Sequence, residues 1–267
     1  MKPNKMIRKL AIKVLKIFSK DISITHHYTG DKVRLHSFAH KGYWFHGKNR
    51  EVNTMKTFKK LISEKDTIME VGGHIGYICL YFSQLAGKGS VIVFEPGVNN
   101  LPYLKKNVGQ KQNVRIVEKG VGNETGQKTF YIESLTGQNN TFVKDFEGFE
   151  SNKKNAGVDA SYQEVTVEIV KLDEFIKDEK VGVPNFIKID VEGFEYNVLL
   201  GMTEILSAGK TKIMVEIQAN YKEIYDLFRQ HHYNVYDDQL NLLMDYNAYL
   251  KAAPNRFFIP ENVTVNA

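Results

Sequence analysis

Four short polar stretches close runs of apolar, β-branched residues, and each carries groups that can do chemistry. Glu70-Val71-Gly72-Gly73-His74-Ile75-Gly76 joins an acid to three glycines, which let a strand turn sharply into a helix and a ligand approach the backbone. Phe94-Glu95-Pro96 sets a second acid about 20 residues downstream, the spacing at which a carboxylate accepts hydrogen bonds from both hydroxyls of a nucleoside ribose. Capping of the helix after Pro96 is the competing account of Glu95. The third stretch is Lys188-Ile189-Asp190-Val191-Glu192-Gly193-Phe194-Glu195, in which strand alternation sends Ile187 and Ile189 to one face and Lys188 and Asp190 to the other. Val215-Glu216-Ile217-Gln218 is the fourth. Charged groups seldom end buried strands without a partner or a task, and a purely structural Lys/Asp/Glu network is the alternative task. The glycine turn is not a dinucleotide fingerprint, because G-x-G-x-x-G starting at Gly72 would place glycine where His74 and Tyr77 stand. That argues against a nicotinamide oxidoreductase.

These stretches need a scaffold that brings strand ends together. From Asp66 onward, short β-rich runs alternate with helical ones, the pattern of a doubly wound parallel sheet. The pattern predicts strands at 67–71, 90–94, 114–117, 186–189 and 213–217, with helices at 75–85, 99–107, 195–206 and 221–231. Two late strands, near 234–236 and 256–259, complete a seven-stranded, mostly parallel α/β sandwich with helices on both faces. In such sheets ligands sit beyond the carboxyl ends of the strands, where the four polar stretches fall.

The chain has 267 residues, 42% of them hydrophobic and 25% charged, which suits one folded α/β domain with an appendage and excludes disorder. Its single cysteine, Cys79, forms no internal bridge, so the sequence suits a reducing compartment. The net charge is +5, yet seven Lys/Arg and no acid lie in residues 1–20, leaving the remainder slightly acidic. A uniformly basic nucleic-acid-binding domain is therefore excluded. Residues 1–20 read as a basic amphipathic helix, with Met6, Ile7, Leu10, Val14, Ile17 and Phe18 at helical spacing and lysines opposite. Lysines interrupt every apolar run, so the segment lacks the roughly 20 apolar residues of a spanning helix. It suits either peripheral contact with an anionic membrane or packing on protein. Residues 21–65 read as an N-terminal extension rich in His and aromatics, in which His36 and His40 stand at i, i+4 without an acidic third ligand. Residues 66–267 form the main domain, and its long polar stretch 134–163 suits a lid or acceptor-binding loop.

Taken together, the stretches between Asp66 and Gln218 resemble the FkbM-type family of S-adenosylmethionine-dependent methyltransferases. Glu70 to Gly76 is similar to its acid-x-G-A-N/H-x-G loop, with Glu70 for the usual Asp and Gly73 for the usual Ala. Phe94-Glu95-Pro96 with Asn99 and Asn107 is similar to its F-E-P-x-x-x-N segment, and Ile187 to Glu195 to its I-K-I-D-V-E-G-x-E segment. The resemblance implies a class I methyltransferase fold, Rossmann-like, and methyl transfer from S-adenosyl-L-methionine to a hydroxyl of a sugar, glycan or small molecule. It implies cofactor binding by Glu70, Gly72, Gly73, His74, Gly76, Glu95, Pro96, Asn99 and Asp190.

Two mechanisms fit the same residues. In one, Asp190 or His74 acts as base or orients the acceptor while Lys188 and Glu192 set the local field. In the other, Asp190 and Glu216, with Gln218, hold a hard divalent cation such as Mg²⁺; the metal-free version is favoured, since only two carboxylates are secure. Asn139-Asn140-Thr141 is expected near the cleft. Amino-methylating nucleic-acid enzymes are excluded by Asp190-Val191-Glu192-Gly193, where they need an Asp/Asn-Pro-Pro-aromatic turn, and Cys79 reads as a packed residue instead of a nucleophile. The runner-up is a nucleotide-binding or assembly module without turnover. The expected location is cytoplasmic or peripheral at the inner membrane surface; the oligomeric state and the acceptor are not legible.

Overall fold

The computed structural model describes residues 14–134, 136–144 and 161–264. Most of the expected N-terminal helix, and residues 145–160 of the expected lid loop, lie outside the described residues. An antiparallel pair, β1 (Asp21–Thr25) and β2 (Lys32–His36), comes first, followed by helices α1 (Lys41–His46) and α2 (Val52–Leu61). The main domain then alternates β3 (Thr67–Val71), α3 (Tyr77–Leu85), β4 (Ser90–Phe94), α4 (Leu101–Val108) and β5 (Val114–Val117). A three-stranded sheet of β6 (Gly120–Val121), β7 (Gly126–Glu133) and β8 (Tyr162–Val170) interrupts the alternation, and α5 (Leu172–Asp178) follows it. Strand β9 (Phe186–Ile189), helices α6 (Glu195–Leu200) and α7 (Thr203–Ala208), β10 (Lys212–Glu216), α8 (Tyr221–Gln230), β11 (Tyr233–Tyr236), α9 (Tyr246–Lys251) and β12 (Asn255–Pro260) complete the order.

The seven-stranded sheet runs β11-β12-β10-β9-β3-β4-β5, and only β12 is antiparallel to its neighbours. Its central strands are largely apolar because helices cover both faces, with Glu70 in β3 and Lys188 in β9 the charged exceptions. Met69, Val71, Ile187 and Ile189 face one core; Ile68, Val91, Val93 and Phe186 face the other. Residues of the N-terminal segment, among them Val33, Leu35, Met55 and Phe58, pack into that second core. Phe58 meets the rings of Phe82, Phe186 and Phe257 at centroid distances of 4.9, 5.7 and 5.9 Å.

The strand order switches direction between β3 and β9, and the differences from the expected elements are local. The single helix expected over 195–206 is two, Glu195–Leu200 and Thr203–Ala208, with Gly201 at the break, where a Cβ would lie 1.9 Å from the Gly122 carbonyl oxygen. The second helix is capped from outside: the Asp173 carboxylate accepts from the amides of Glu204 (2.9 Å) and Ile205 (3.1 Å). His36 and His40 do not share a helical face. His36 ends β2, and its amide donates to His40 Nδ1 at 2.9 Å, a turn-closing bond. The β7–β8 ladder is the feature the sequence reading missed; residues 134–161 connect its strands, and Tyr162 and Gln163 of the expected loop belong to β8.

Phe58→Ala leaves a cavity among three aromatic rings and costs about 3–5 kcal/mol in urea unfolding. A loss below about 1 kcal/mol would show that α2 does not belong to the folded core.

Candidate functional site

The ends of β3 and β9 lie side by side, with Val71 paired to Ile189. Gly72 follows at φ +89°, and a Cβ there would sit 1.9 Å from the Asp190 carbonyl oxygen, so no side chain fits. The amides of Gly72 and Gly73 both donate to the Phe94 carbonyl, at 3.1 and 3.0 Å, tying the turn to the end of β4. A Cβ on Gly73 would lie 2.3 Å from Val93 Cγ2, which accounts for glycine in place of the family's usual alanine.

Glu95 closes β4 with its carboxylate buried and aimed back at this turn. Its Oε2 accepts the His74 amide at 2.7 Å, while Oε1 accepts the Gly97 amide at 2.8 Å and Asn100 Nδ2 at 3.3 Å. Burial pushes this carboxyl up to about 7, against the two amides that hold it down. Glu95 thus fastens the glycine turn and does not cap α4. Asn100 Nδ2 also donates to the Gly137 carbonyl (3.0 Å), and Asn140 Nδ2 donates to Asn99 Oδ1 (2.8 Å). In this way the 136–144 segment is moored over the site, and Thr141 adds a hydroxyl bond of 2.7 Å to the Glu192 carbonyl.

Together these elements enclose a cleft of ≈ 220 Å³ at the carboxyl ends of the strands. Gly72, His74, Glu95 and Pro96 line one wall; Asp190, Glu192 and Glu216 line another; Tyr43, Arg50 and Glu51 of the N-terminal segment close a third. Lys188 lies beneath, fully buried, with Nζ 2.9 Å from Asp190 Oδ2 and 3.9 Å from Glu70 Oε1. Burial alone would depress this ammonium, but Asp190 and Glu70 hold it above its ordinary value, so it stays charged. Burial raises Glu70 to about 8 and Glu192 to about 8, and the Asp190 charge drives Glu216 well upward. Gln218 Nε2 donates to Glu192 Oε2 at 2.8 Å.

The residues singled out in the sequence thus converge, although Glu70, Gly73, Gly76, Asn99 and Lys188 support the cleft without lining it. Glu70 is buried under the turn against Lys188 and is not part of the cleft wall. Asn99 holds the 136–144 segment, while its neighbour Asn100 contacts Glu95; the F-E-P-x-x-x-N spacing counted from Pro96 lands on Asn100 and could have identified it. His74 Nδ1 is hydrogen-bonded to Tyr43 Oη at 2.9 Å, and burial holds its imidazole well below the ordinary value. Gly76, at φ +83°, turns the chain into α3 behind the cleft. Tyr43, Arg50 and Gln138 carried no signal in the sequence, since only the folded chain brings them to the mouth.

The walls fit an adenosyl sulfonium. A buried carboxylate sits where a ribose diol needs acceptors, side-chain-free backbone lies beside it, and carboxylates outnumber cations around the cleft. Gln138 Nε2 is buried on the wall with no hydrogen-bond partner among the described residues, a donor available to a ligand. Among the described residues, no group of three or more His, Cys, Asp or Glu is arranged to hold a metal ion.

A family model described as the methyltransferase FkbM domain matches residues 70–235. The hexuronic acid methyltransferase AglP of Haloferax volcanii is 26% identical over 171 residues, covering 63% of this chain and 63% of that protein. The 2-O-methyltransferase NoeI of Sinorhizobium fredii is 23% identical over 203 residues, 72% of this chain and 78% of that protein. The match thus spans less than two thirds of AglP's own length. The crystal structure of methyltransferase FkbM from Methylobacillus flagellatus KT superposes with a TM-score of 0.46 at 13% identity, over 80% of this chain and 60% of that one.

Glu95→Gln should raise the calorimetric Kd for S-adenosylmethionine about tenfold or more, equivalent to about 1.4 kcal/mol, with a smaller rise for Asn100→Ala than for Glu95→Gln and none for Lys48→Ala. An unchanged Kd for Glu95→Gln would remove the ribose assignment. The buried Glu70 also gives the fold a pH signature. Its carboxyl ionises near 4.5 when unfolded and about 8 when folded, so its stabilising protonated form is full below 4.5 and lost as pH rises through 8. Thermal unfolding of Glu70→Gln should therefore fall less between pH 5 and 8 than that of the parent chain, whereas parallel curves would show that Glu70 is already ionised in the fold.

Proposed function

The chain belongs to the methyltransferase FkbM domain family, and we propose that it is an S-adenosylmethionine-dependent methyltransferase that methylates a hydroxyl oxygen of a sugar or glycan. The observation that carries this reading is Asp190, a carboxylate whose side chain is 27% exposed at the cleft while its Lys188 partner is 4% exposed beneath it. The names of the two relatives, a hexuronic acid methyltransferase and a 2-O-methyltransferase, support a sugar as the acceptor.

Bound S-adenosylmethionine supplies a methyl group made electrophilic by the sulfonium it leaves. The chain must then hold an oxygen in line with that methyl and remove its proton. Asp190 is placed for the second task. Lys188 anchors one of its oxygens, which fixes the carboxylate's direction, and the other oxygen is left to accept from the acceptor hydroxyl. Burial and the neighbouring Asp190 raise Glu192, and Asp190 and burial raise Glu216, so charge on either is disfavoured beside Asp190. His74 serves differently from Asp190. Its ring is buried and bonded to Tyr43, so its contribution is the backbone amide that fastens Glu95. Tyr43, Arg50 and Gln138 supply hydrogen-bonding groups on the open side, where acceptor hydroxyls would lie.

Asp190→Asn should lower kcat about 100-fold or more with cofactor Kd nearly unchanged, because the amide keeps the shape and loses the proton acceptor. Incubating the enzyme with isotope-labelled S-adenosylmethionine and a panel of glycans and hydroxylated small molecules, read by mass spectrometry, tests the whole reading. Label appearing only on nitrogen, carbon or carboxylate positions would overturn it.

A further inference from the structure

The N-terminal segment leaves several large apolar side chains in water. Ile17 and Phe18 are each 75% exposed, and on α1 Phe45 is 73% and Trp44 37% exposed. Single exposed hydrophobics are ordinary, but these belong to two segments that meet at one point. The Lys20 amide donates to Ser37 Oγ at 3.0 Å, and Trp44 Nε1 donates to the Ser37 carbonyl at 2.8 Å. Lys16 and Lys41 both direct their ammonium groups at the ring of Phe38, next in sequence, at 6.0 and 4.8 Å. Aromatic and aliphatic side chains are thus gathered beside lysines, in a region whose first 20 residues hold seven Lys/Arg and no acid.

We propose that this face docks on a bilayer containing anionic phospholipid, with Ile17, Phe18 and Phe45 entering the boundary between headgroups and acyl chains and the lysines meeting lipid phosphates. Charge selects this occupant. Two copies of the chain joined through this face about a two-fold axis would set lysines against lysines, whereas an anionic surface neutralises them. Apolar residues beside basic ones are the composition of a segment lying in the plane of the interface. Among the described residues, no helix is long and apolar enough to cross a membrane, so contact through this face is peripheral. Docking also acts on the cleft through α1. The same six-residue helix that presents Trp44 and Phe45 outward turns Tyr43 inward, with its hydroxyl 2.9 Å from His74 Nδ1. The cleft therefore opens beside the lipid surface, where an acceptor carried on a lipid is within reach; this last step rests on the sugar-methylating reading.

Trp44 is the only tryptophan in the chain and reports on its own docking. The full-length protein is mixed with vesicles of phosphatidylcholine alone and of phosphatidylcholine with phosphatidylglycerol. The expected result is co-sedimentation and a blue shift of Trp44 emission with the anionic vesicles only, weakened by added salt. The double variant Ile17→Ser with Phe18→Ser should lose at least tenfold in vesicle affinity while its circular dichroism and calorimetric affinity for S-adenosylmethionine stay unchanged. No shift with anionic vesicles, equal binding to both compositions, or a concentration-dependent shift without vesicles would each overturn the proposal, the last by showing self-association. Cofactor affinity, measured on the same samples, would survive those outcomes and keep the methyltransferase reading separate.

Discussion

Everything in the cleft depends on how closely two strand ends approach each other. The turn after β3 passes so near the end of β9 that Gly72 has no room for a side chain against the Asp190 carbonyl. That contact brings the cofactor-side turn and the candidate base into one corner, although about 120 residues separate them along the chain. The seven-stranded sheet makes it possible, because β3 and β9 are neighbours at its centre and point the same way. Glu95 then fixes the other side of the turn from β4, so three adjacent strands share the work of shaping a single loop.

A buried cation organises the electrostatics of that corner. Lys188 pairs in register with Glu70 on the neighbouring strand and reaches Asp190 two residues on. A fully buried ammonium is tolerated only with such partners, and the protein gives it two of unequal character. Glu70 is sealed off and retains its proton near neutral pH; Asp190 stands at the open edge and carries the charge into the cleft. Polarity that would be costly inside a core is thus turned toward the place where chemistry occurs.

The fold was legible because its central strands are buried on both faces and are apolar but for one charged residue each, Glu70 within Ile68 to Val71 and Lys188 within Phe186 to Ile189. Their polar terminal residues marked the site for the same reason. The β7–β8 ladder went unread although β8 alternates Val165, Val167 and Ile169 with the exposed Glu164, Thr166 and Glu168, because its apolar face is only half-buried along most of its length and it stands outside the βα alternation of the main sheet. The close approach that admits only glycine at position 201, to the Gly122 carbonyl, comes from another part of the chain and leaves no local signal. Tyr43 and Arg50 escaped likewise. They lie in an aperiodic stretch rich in histidine and aromatics, and only tertiary packing carries them to the cleft mouth.

The crowding at Gly73 has an evolutionary corollary. Position 73 and position 93 share one small volume, so alanine at the first demands a smaller residue than valine at the second. Lineages that exchange the two must shrink the strand residue before enlarging the loop residue, since the reverse order forces a methyl into occupied space. An inherited glycine here would then persist as a historical trace of its valine neighbour, independent of any pressure from the ligand.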